Sequence, residues 1–169
     1  MKNVYLTGFM GTGKTFVGRI LARKLTAHFF EMDQELERRA GKTVTQIFKE
    51  DGEAVFRVME TNLLGELAFK SGMVISCGGG VICCEGNIGM MKKSGVIVNL
   101  FSSAEKIYAR TKADKDRPLL QVEDPLLKIN ELLKKRAPFY ARADYQVRSE
   151  DETPEEVAEA IVKILKNAK

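Results

Sequence analysis

Residues 8–15 read Gly8-Phe9-Met10-Gly11-Thr12-Gly13-Lys14-Thr15, a complete G-x-x-x-x-G-K-[ST], and nothing else in the chain restricts its fold as much. Such a loop works only between a strand that ends at the first glycine and a helix that starts at the lysine. The glycines let the backbone curl until its N–H groups point inward, and the helix N-terminus adds a partial positive charge. The flanks agree: Val4 to Leu6 is a short apolar run, and Phe16 to Leu25 carries a helical pattern. In this arrangement Gly11, Thr12 and Gly13 line the phosphates of a nucleoside triphosphate. Lys14 brings a cation to the β/γ oxygens, and Thr15 offers its hydroxyl directly to Mg²⁺. The loop leaves the acceptor open.

Composition removes several chemistries. The chain has 169 residues, so a single domain over 1–169 with a substantial core is expected. His28 is the only histidine; neither a multi-histidine metal site nor a histidine relay can be built within one chain. The three cysteines, Cys77, Cys83 and Cys84, lack C-x-x-C spacing, which predicts neither a disulfide framework nor a zinc site and suits a reducing cytoplasm. No apolar run approaches the length of a membrane span, about 18 residues or more, and residues 1–8 hold no signal-type apolar region. A cytoplasmic protein with no membrane partner is expected. The net charge of +4 is concentrated: residues 105–148 carry 11 basic and 7 acidic side chains. Charge alone would allow a nucleic-acid patch, but there is no aromatic-basic platform of the kind single strands require, so no nucleic-acid partner is expected.

Apolar runs alternate with helical patterns along the chain. Met73 to Ser76 leads into a glycine turn, and Val96 to Leu100 precedes a helix from Ala104 to Arg110. Short alternating units predict an α/β fold of three layers, α/β/α, around a central parallel sheet. Phe56, Met59, Leu63 and Leu67 mark a helix over about Glu53 to Lys70. Thr153, Pro154 and Glu156 form a capping box at the head of the last helix, whose apolar face is Val157, Ile161, Ile164 and Leu165. Lys112 to Asp124 is the least regular stretch and predicts a mobile loop.

A P-loop in so short a chain, without an N-K-x-D guanine signature, favours small-molecule kinases. Glu31 and Asp33 stand two residues apart where a second strand would end, facing the nucleotide crevice. Ser76-Cys77-Gly78-Gly79-Gly80 ends a third strand in glycines, allowing a ligand close to the backbone. Taken with the P-loop, three further elements make the chain resemble the shikimate kinase family along nearly its whole length. These are Gly52-Glu53 with Phe56-Arg57 and Glu60, Asp116-Arg117-Pro118-Leu119-Leu120, and Lys135-Arg136-Ala137-Pro138-Phe139-Tyr140.

The resemblance implies a P-loop kinase with a mobile lid over about 112–124 and an acceptor-binding region over about 31–60. It also implies a monomer that transfers the ATP γ-phosphate to the 3-hydroxyl of shikimate, with Mg²⁺ as cofactor and ATP and shikimate as partners. Asp33 would orient the hydroxyl and take its proton; Arg57 and Arg136 would bind the carboxylate, beside the backbone of Gly78, Gly79 and Gly80. Arg117 would close over the moving phosphoryl group, and Lys14, Asp33 and Arg117 would form the catalytic set. Arg110 and Pro154 would flank the adenine.

Blander readings stand beside these. Arg57 could only pair with Glu60 one turn on, and Asp33 could be the N-cap of a helix over Gln34 to Arg39. One departure from the family pattern is Glu31, where an aspartate is usual. The carboxylate expected to reach Mg²⁺ through water, with support from Ser76, is one methylene longer. A gluconate kinase-like enzyme and a silent ATP-binding module remain the alternatives.

Overall fold

The computed structural model describes residues 1–113 and 117–167. Five parallel strands form one sheet in the order β2-β3-β1-β4-β5. They are β1 (Asn3–Gly8), β2 (His28–Glu31), β3 (Met73–Ser76), β4 (Gly95–Phe101) and β5 (Tyr145–Arg148). Eight α-helices are described: α1 (Lys14–Leu25), α2 (Met32–Ala40), α3 (Val44–Glu50), α4 (Glu53–Ala68), α5 (Glu85–Ser94), α6 (Ala104–Thr111), α7 (Pro125–Tyr140) and α8 (Pro154–Asn167).

The two-residue repeat of a strand divides the core. Val4 and Leu6 of β1 face α1 and α8, joining Val17, Leu21, Val74, Val98, Val157 and Ile161. Tyr5 points the other way, with its register partners Ile75 and Ile97, onto Phe56, Leu63 and Leu67 of α4 and Met91 of α5. Both faces of the central strands are therefore covered, which is why β1, β3 and β4 read as continuous apolar runs. Asn3 ties the layers at one end. Its Nδ2 donates to the Lys70 carbonyl at 2.8 Å, and its Oδ1 accepts from the Met73 N–H at 3.1 Å.

The chain leaves β1 through α1 for the sheet edge at β2, returns inward to β3, and crosses to β4. The carboxyl ends of β1, β2 and β3 thus open on one crevice. The capping box of α8 is present: Thr153 N–H donates to Glu156 Oε2 at 2.7 Å and Glu156 N–H to Thr153 Oγ1 at 3.2 Å.

One expectation is corrected. Asp33 is not an N-cap; β2 passes into α2 without a loop residue, Glu31 takes the cap position, and Asp33 lies in the first helical turn. Within the stretch 112–124, Pro118–Leu120 forms a 3-10 turn and Asp124 caps α7 by accepting from Leu127 N–H at 3.0 Å. Residues 114–116 of that stretch, with Asp116 of the lid motif, lie outside the described residues.

Candidate active site

The phosphate loop is built around three positive-φ glycines, Gly8 (136°), Gly11 (78°) and Gly13 (87°). Gly8 has a second constraint: a Cβ there would run into the Leu100 carbonyl on β4. Thr12 Oγ1 braces the loop by donating to the Phe9 carbonyl at 2.7 Å. Lys14 turns its ammonium back into the loop, donating to the carbonyls of Gly8 at 2.9 Å and Phe9 at 3.0 Å. Lys14 is half-buried. Burial pulls the ammonium down to about 8, against the opposing pull of Asp33 and Glu31.

Thr15 lies one residue on and donates its hydroxyl to Glu31 Oε2 at 2.7 Å. Glu31 pairs in register with Ser76 across β2 and β3, which brings Thr15, Glu31 and Ser76 together as expected. Burial raises the Glu31 carboxyl above its ordinary range, with the Thr15 hydrogen bond opposing. The Ser76 hydroxyl also favours the charged form of Glu31, though it makes no hydrogen bond of good geometry. Among the described residues no three His, Cys, Asp or Glu side chains converge as a metal cage. A Thr15 hydroxyl with two nearby water-binding groups still suits Mg²⁺, which keeps most of its waters and takes substrate phosphate oxygens as ligands.

The loop opens on a cavity of about 480 Å³ that also reaches Arg110 and Pro154. Arg110 bridges its two sides, donating to the Gly11 carbonyl at 3.1 Å and the Glu150 carbonyl at 2.6 Å. Both adenine-flanking candidates are therefore at this cavity.

A second cavity lies beyond Asp33. Asp33, Arg57, Glu60, Arg117 and Arg136 line it together with Gly78, Gly79 and Gly80, and Phe48 and Phe56 form an apolar wall. Burial raises the Asp33 carboxyl, with Lys14 and then Arg117 opposing, and its Oδ1 is buried without a hydrogen-bond partner among the described residues. Arg57 makes the bland pairing: Nη1 donates to Glu60 Oε2 at 2.6 Å and Nη2 to Glu53 Oε1 at 2.9 Å. It lies in the cavity wall all the same, stacked 5.6 Å from the Phe56 ring centre. Arg136 is almost buried and sits 5.4 Å over the Phe9 ring, with Nη1 donating to the Gly79 carbonyl at 3.3 Å.

The glycine turn leaves room for these cations. A Cβ at Gly80 would overlap the Arg57 guanidinium, and one at Gly78 would overlap Glu60 Oε1. The two cavities share Met10, Asp33 and Arg117. Arg117 precedes the 3-10 turn, whose Leu120 packs on Phe9, Ala104, Ile107 and Ile129.

Glu60 belongs to the Gly52-to-Glu60 motif and pairs with Arg57, but the sequence gives it no site role of its own. It is buried at 1% exposure, its Oε1 has no hydrogen-bond partner among the described residues, and burial pushes its carboxyl up to about 7 against Arg57. A glutamate on the apolar stripe of Phe56, Leu63 and Leu67 was the available signal. The concentrated basic charge divides. Arg110, Arg117 and Arg136 face the two cavities, but Arg142 pairs with Glu85, Lys106 with Asp151 and Arg148 with Glu150 on the surface.

A P-loop on a five-stranded parallel sheet, joined to a second, charged cavity, defines a P-loop phosphotransferase. A sequence model described as shikimate kinase matches residues 10–166, and the chain belongs to the shikimate kinase family. A shikimate kinase from Thermodesulfovibrio yellowstonii is 45% identical over 163 residues, 96% of this chain and 94% of that protein. The structure of the Acinetobacter baumannii shikimate kinase in complex with shikimate superposes with a TM-score of 0.96 at 40% identity, covering 100% of this chain and 95% of that one. A gluconokinase from Sinorhizobium meliloti, at TM-score 0.60 and 14% identity over 99% of this chain and 95% of its own, shares the fold alone.

Proposed function

We propose that this chain transfers the γ-phosphoryl group of ATP to the 3-hydroxyl of shikimate, releasing ADP and shikimate 3-phosphate. The observation that carries the reading is that the phosphate cavity and the acceptor cavity meet at Asp33 and Arg117. A γ-phosphate held by Gly11 to Thr15 and a hydroxyl held by Asp33 would face each other there with little space for water.

Each group then has work that its chemistry suits. Gly11, Thr12 and Gly13 supply N–H groups to the phosphates. Lys14 leaves its two carbonyl partners for the γ-phosphate, and Arg117 balances charge on the transferring group. Arg57 and Arg136 bind the acceptor carboxylate with the glycine turn beside them, and the apolar faces of Phe48 and Phe56 take the ring. Asp33 accepts the hydroxyl hydrogen bond, and its raised pKa brings it nearer the value of an effective proton acceptor. Mg²⁺, held by Thr15 directly and by Glu31 and Ser76 through water, would neutralise charge between the β- and γ-phosphates. Glu31 reaches Thr15 in spite of its extra methylene, which argues for a competent site over a silent ATP-binding module. One chain supplies every group named, so we read the working unit as a monomer.

Shikimate-dependent ADP release in the presence of Mg²⁺ tests the reading, with gluconate as the competing acceptor. Turnover should need shikimate, disappear in Lys14→Ala and Asp33→Ala, and require far more shikimate in Arg136→Ala. Near-normal turnover in Asp33→Ala, or preference for gluconate, would overturn the reading.

A further inference from the structure

The glycine turn that edges the acceptor cavity is pinned through its carbonyls. Gly78 C=O accepts from Val81 N–H at 3.1 Å, and Gly80 C=O from Cys83 N–H at 2.9 Å. Gly79 C=O is held differently, by two side chains of α7. Tyr140 Oη donates to it at 2.8 Å and Arg136 Nη1 at 3.3 Å. A peptide is planar and trans, so its C=O and the following N–H point in opposite directions. Fixing the Gly79 carbonyl towards α7 therefore fixes the Gly80 N–H away from it. The N–H groups of Gly79 and Gly80 make no hydrogen bond among the described residues.

Tyr140 and Arg136 stand one helical turn apart on α7 and converge on one oxygen. Tyr140 is nearly buried, against the core under the turn. Burial pushes its phenol up to about 12, so it remains a donor throughout the working pH range. Arg136 has other demands on it: its guanidinium lines the acceptor cavity, and its bond to Gly79 is the longer of the two.

We propose that Tyr140 is a positioning residue for the acceptor carboxylate. Its hydroxyl anchors the Gly79 carbonyl, which sets the direction of the Gly80 N–H and seats the Arg136 guanidinium against the same oxygen. When a carboxylate draws on Arg136, the Tyr140 bond keeps the turn from rocking. The inference rests on the acceptor end proposed above, where Arg136 and the turn meet a carboxylate.

Tyr140→Phe keeps the ring and removes only the hydroxyl. Losing one hydrogen bond of this type should raise the KM for shikimate about five- to tenfold, with kcat and the KM for ATP within about twofold of wild type. A purely structural role would not make that split. The deciding arm uses the shikimate analogue whose carboxylate is reduced to a primary alcohol: here Tyr140→Phe and wild type should differ by less than about twofold, because the carboxylate that needs the aligned groups is gone. An equal loss with both acceptors, or a loss expressed in kcat or in ATP use, overturns the role. If the wild type itself does not distinguish carboxylate from alcohol, the acceptor end has been misread and the proposal falls with it. Should Tyr140→Phe not fold, proton NMR of the wild-type protein decides. A slowly exchanging Tyr140 hydroxyl proton that persists on adding shikimate supports the anchor; its loss on binding overturns it.

Discussion

Thr15 donates its hydroxyl to Glu31 Oε2 across 2.7 Å, so the P-loop threonine is already engaged by the carboxylate that ends β2. A metal at Thr15 would take an oxygen lone pair of that hydroxyl and leave its proton on Glu31, whose remaining acceptor sites could then take a hydrogen bond from metal-bound water. The longer glutamate side chain reaches from the end of β2 to the loop hydroxyl.

Glu31→Gln keeps the length and a partner for Thr15 but removes the charge that, on the proposed reading, would order metal-bound water. We expect the Mg²⁺ concentration for half-maximal rate to rise about tenfold, as for other groups that orient metal ligands, while metal-free ATP binding changes less than twofold. Titrating Mg²⁺ at saturating ATP and shikimate measures the first, and calorimetry in a chelator measures the second. An unchanged Mg²⁺ requirement would remove Glu31 from the metal's surroundings.

Lys14 gives a pH-dependent prediction. Burial lowers its ammonium to about 8 in the free protein, and triphosphate binding favours the charged form. Above pH 8 the free protein has lost the proton that the complex needs, so ATP binding should take up a proton and weaken by up to about tenfold per pH unit. Calorimetry in two buffers of different ionisation heat, from pH 7 to 9.5, reads the uptake directly. Proton release, or affinity flat through pH 9.5, would contradict the assignment.

How much of this was readable from sequence depends on how local each signal is. The P-loop, β3 and α8 carry their own patterns: spaced glycines, the apolar run Met73-Val74-Ile75 and a capping box ahead of an apolar face. β5 was missed because it is an edge strand of four residues with only Val147 buried, which leaves no alternation to detect. The cap position at α2 was misplaced because β2 and α2 abut, a junction that sequence spacing does not mark. Glu60 and Arg136 are instructive in the opposite sense. Both sit on the buried stripes of their helices, Glu60 with Phe56 and Leu63, Arg136 with Ile129 and Tyr140. A charge on an apolar stripe is expensive unless it faces a partner or a ligand, so periodicity alone could have singled them out. What it could not supply is that the two stripes face one another across the glycine turn.

Glu60 should leave a mark on stability. Its folded carboxyl titrates at about 7 against an ordinary value of 4.5, so between those values the folded protein binds more protons than the unfolded chain. Stability therefore falls as pH rises through that window, by roughly 1–3 kcal/mol from this group. Asp33 and Glu31 are raised as well and add to the same slope. Urea unfolding at pH 5 and pH 7.5 should show the decline in wild type and a shallower one in Glu60→Gln. Equal slopes in the two proteins would mean that Glu60 is charged throughout.

The turn glycines separate space from backbone freedom. Gly80 has an ordinary backbone conformation, with φ of −103°, so alanine is allowed there by the main chain. What opposes it is the Arg57 guanidinium, which occupies the space a Cβ would take. Gly80→Ala should therefore fold and should act by pushing Arg57 off its seat between Phe56 and Glu60. The guanidinium is the far end of a flexible side chain, so the cost to stability should stay near 1 kcal/mol, within the usual range for a single substitution. The cost to acceptor binding should be larger, about ten- to thirtyfold in the KM for shikimate, because a misplaced fork loses its paired hydrogen bonds to a carboxylate. Combining Gly80→Ala with Arg57→Ala provides the decisive control. If the alanine acts through Arg57, the double variant should be no worse than Arg57→Ala alone. Additive losses would place the effect in the turn itself, and a Gly80→Ala protein with normal shikimate KM would show that Arg57 does not need that seat.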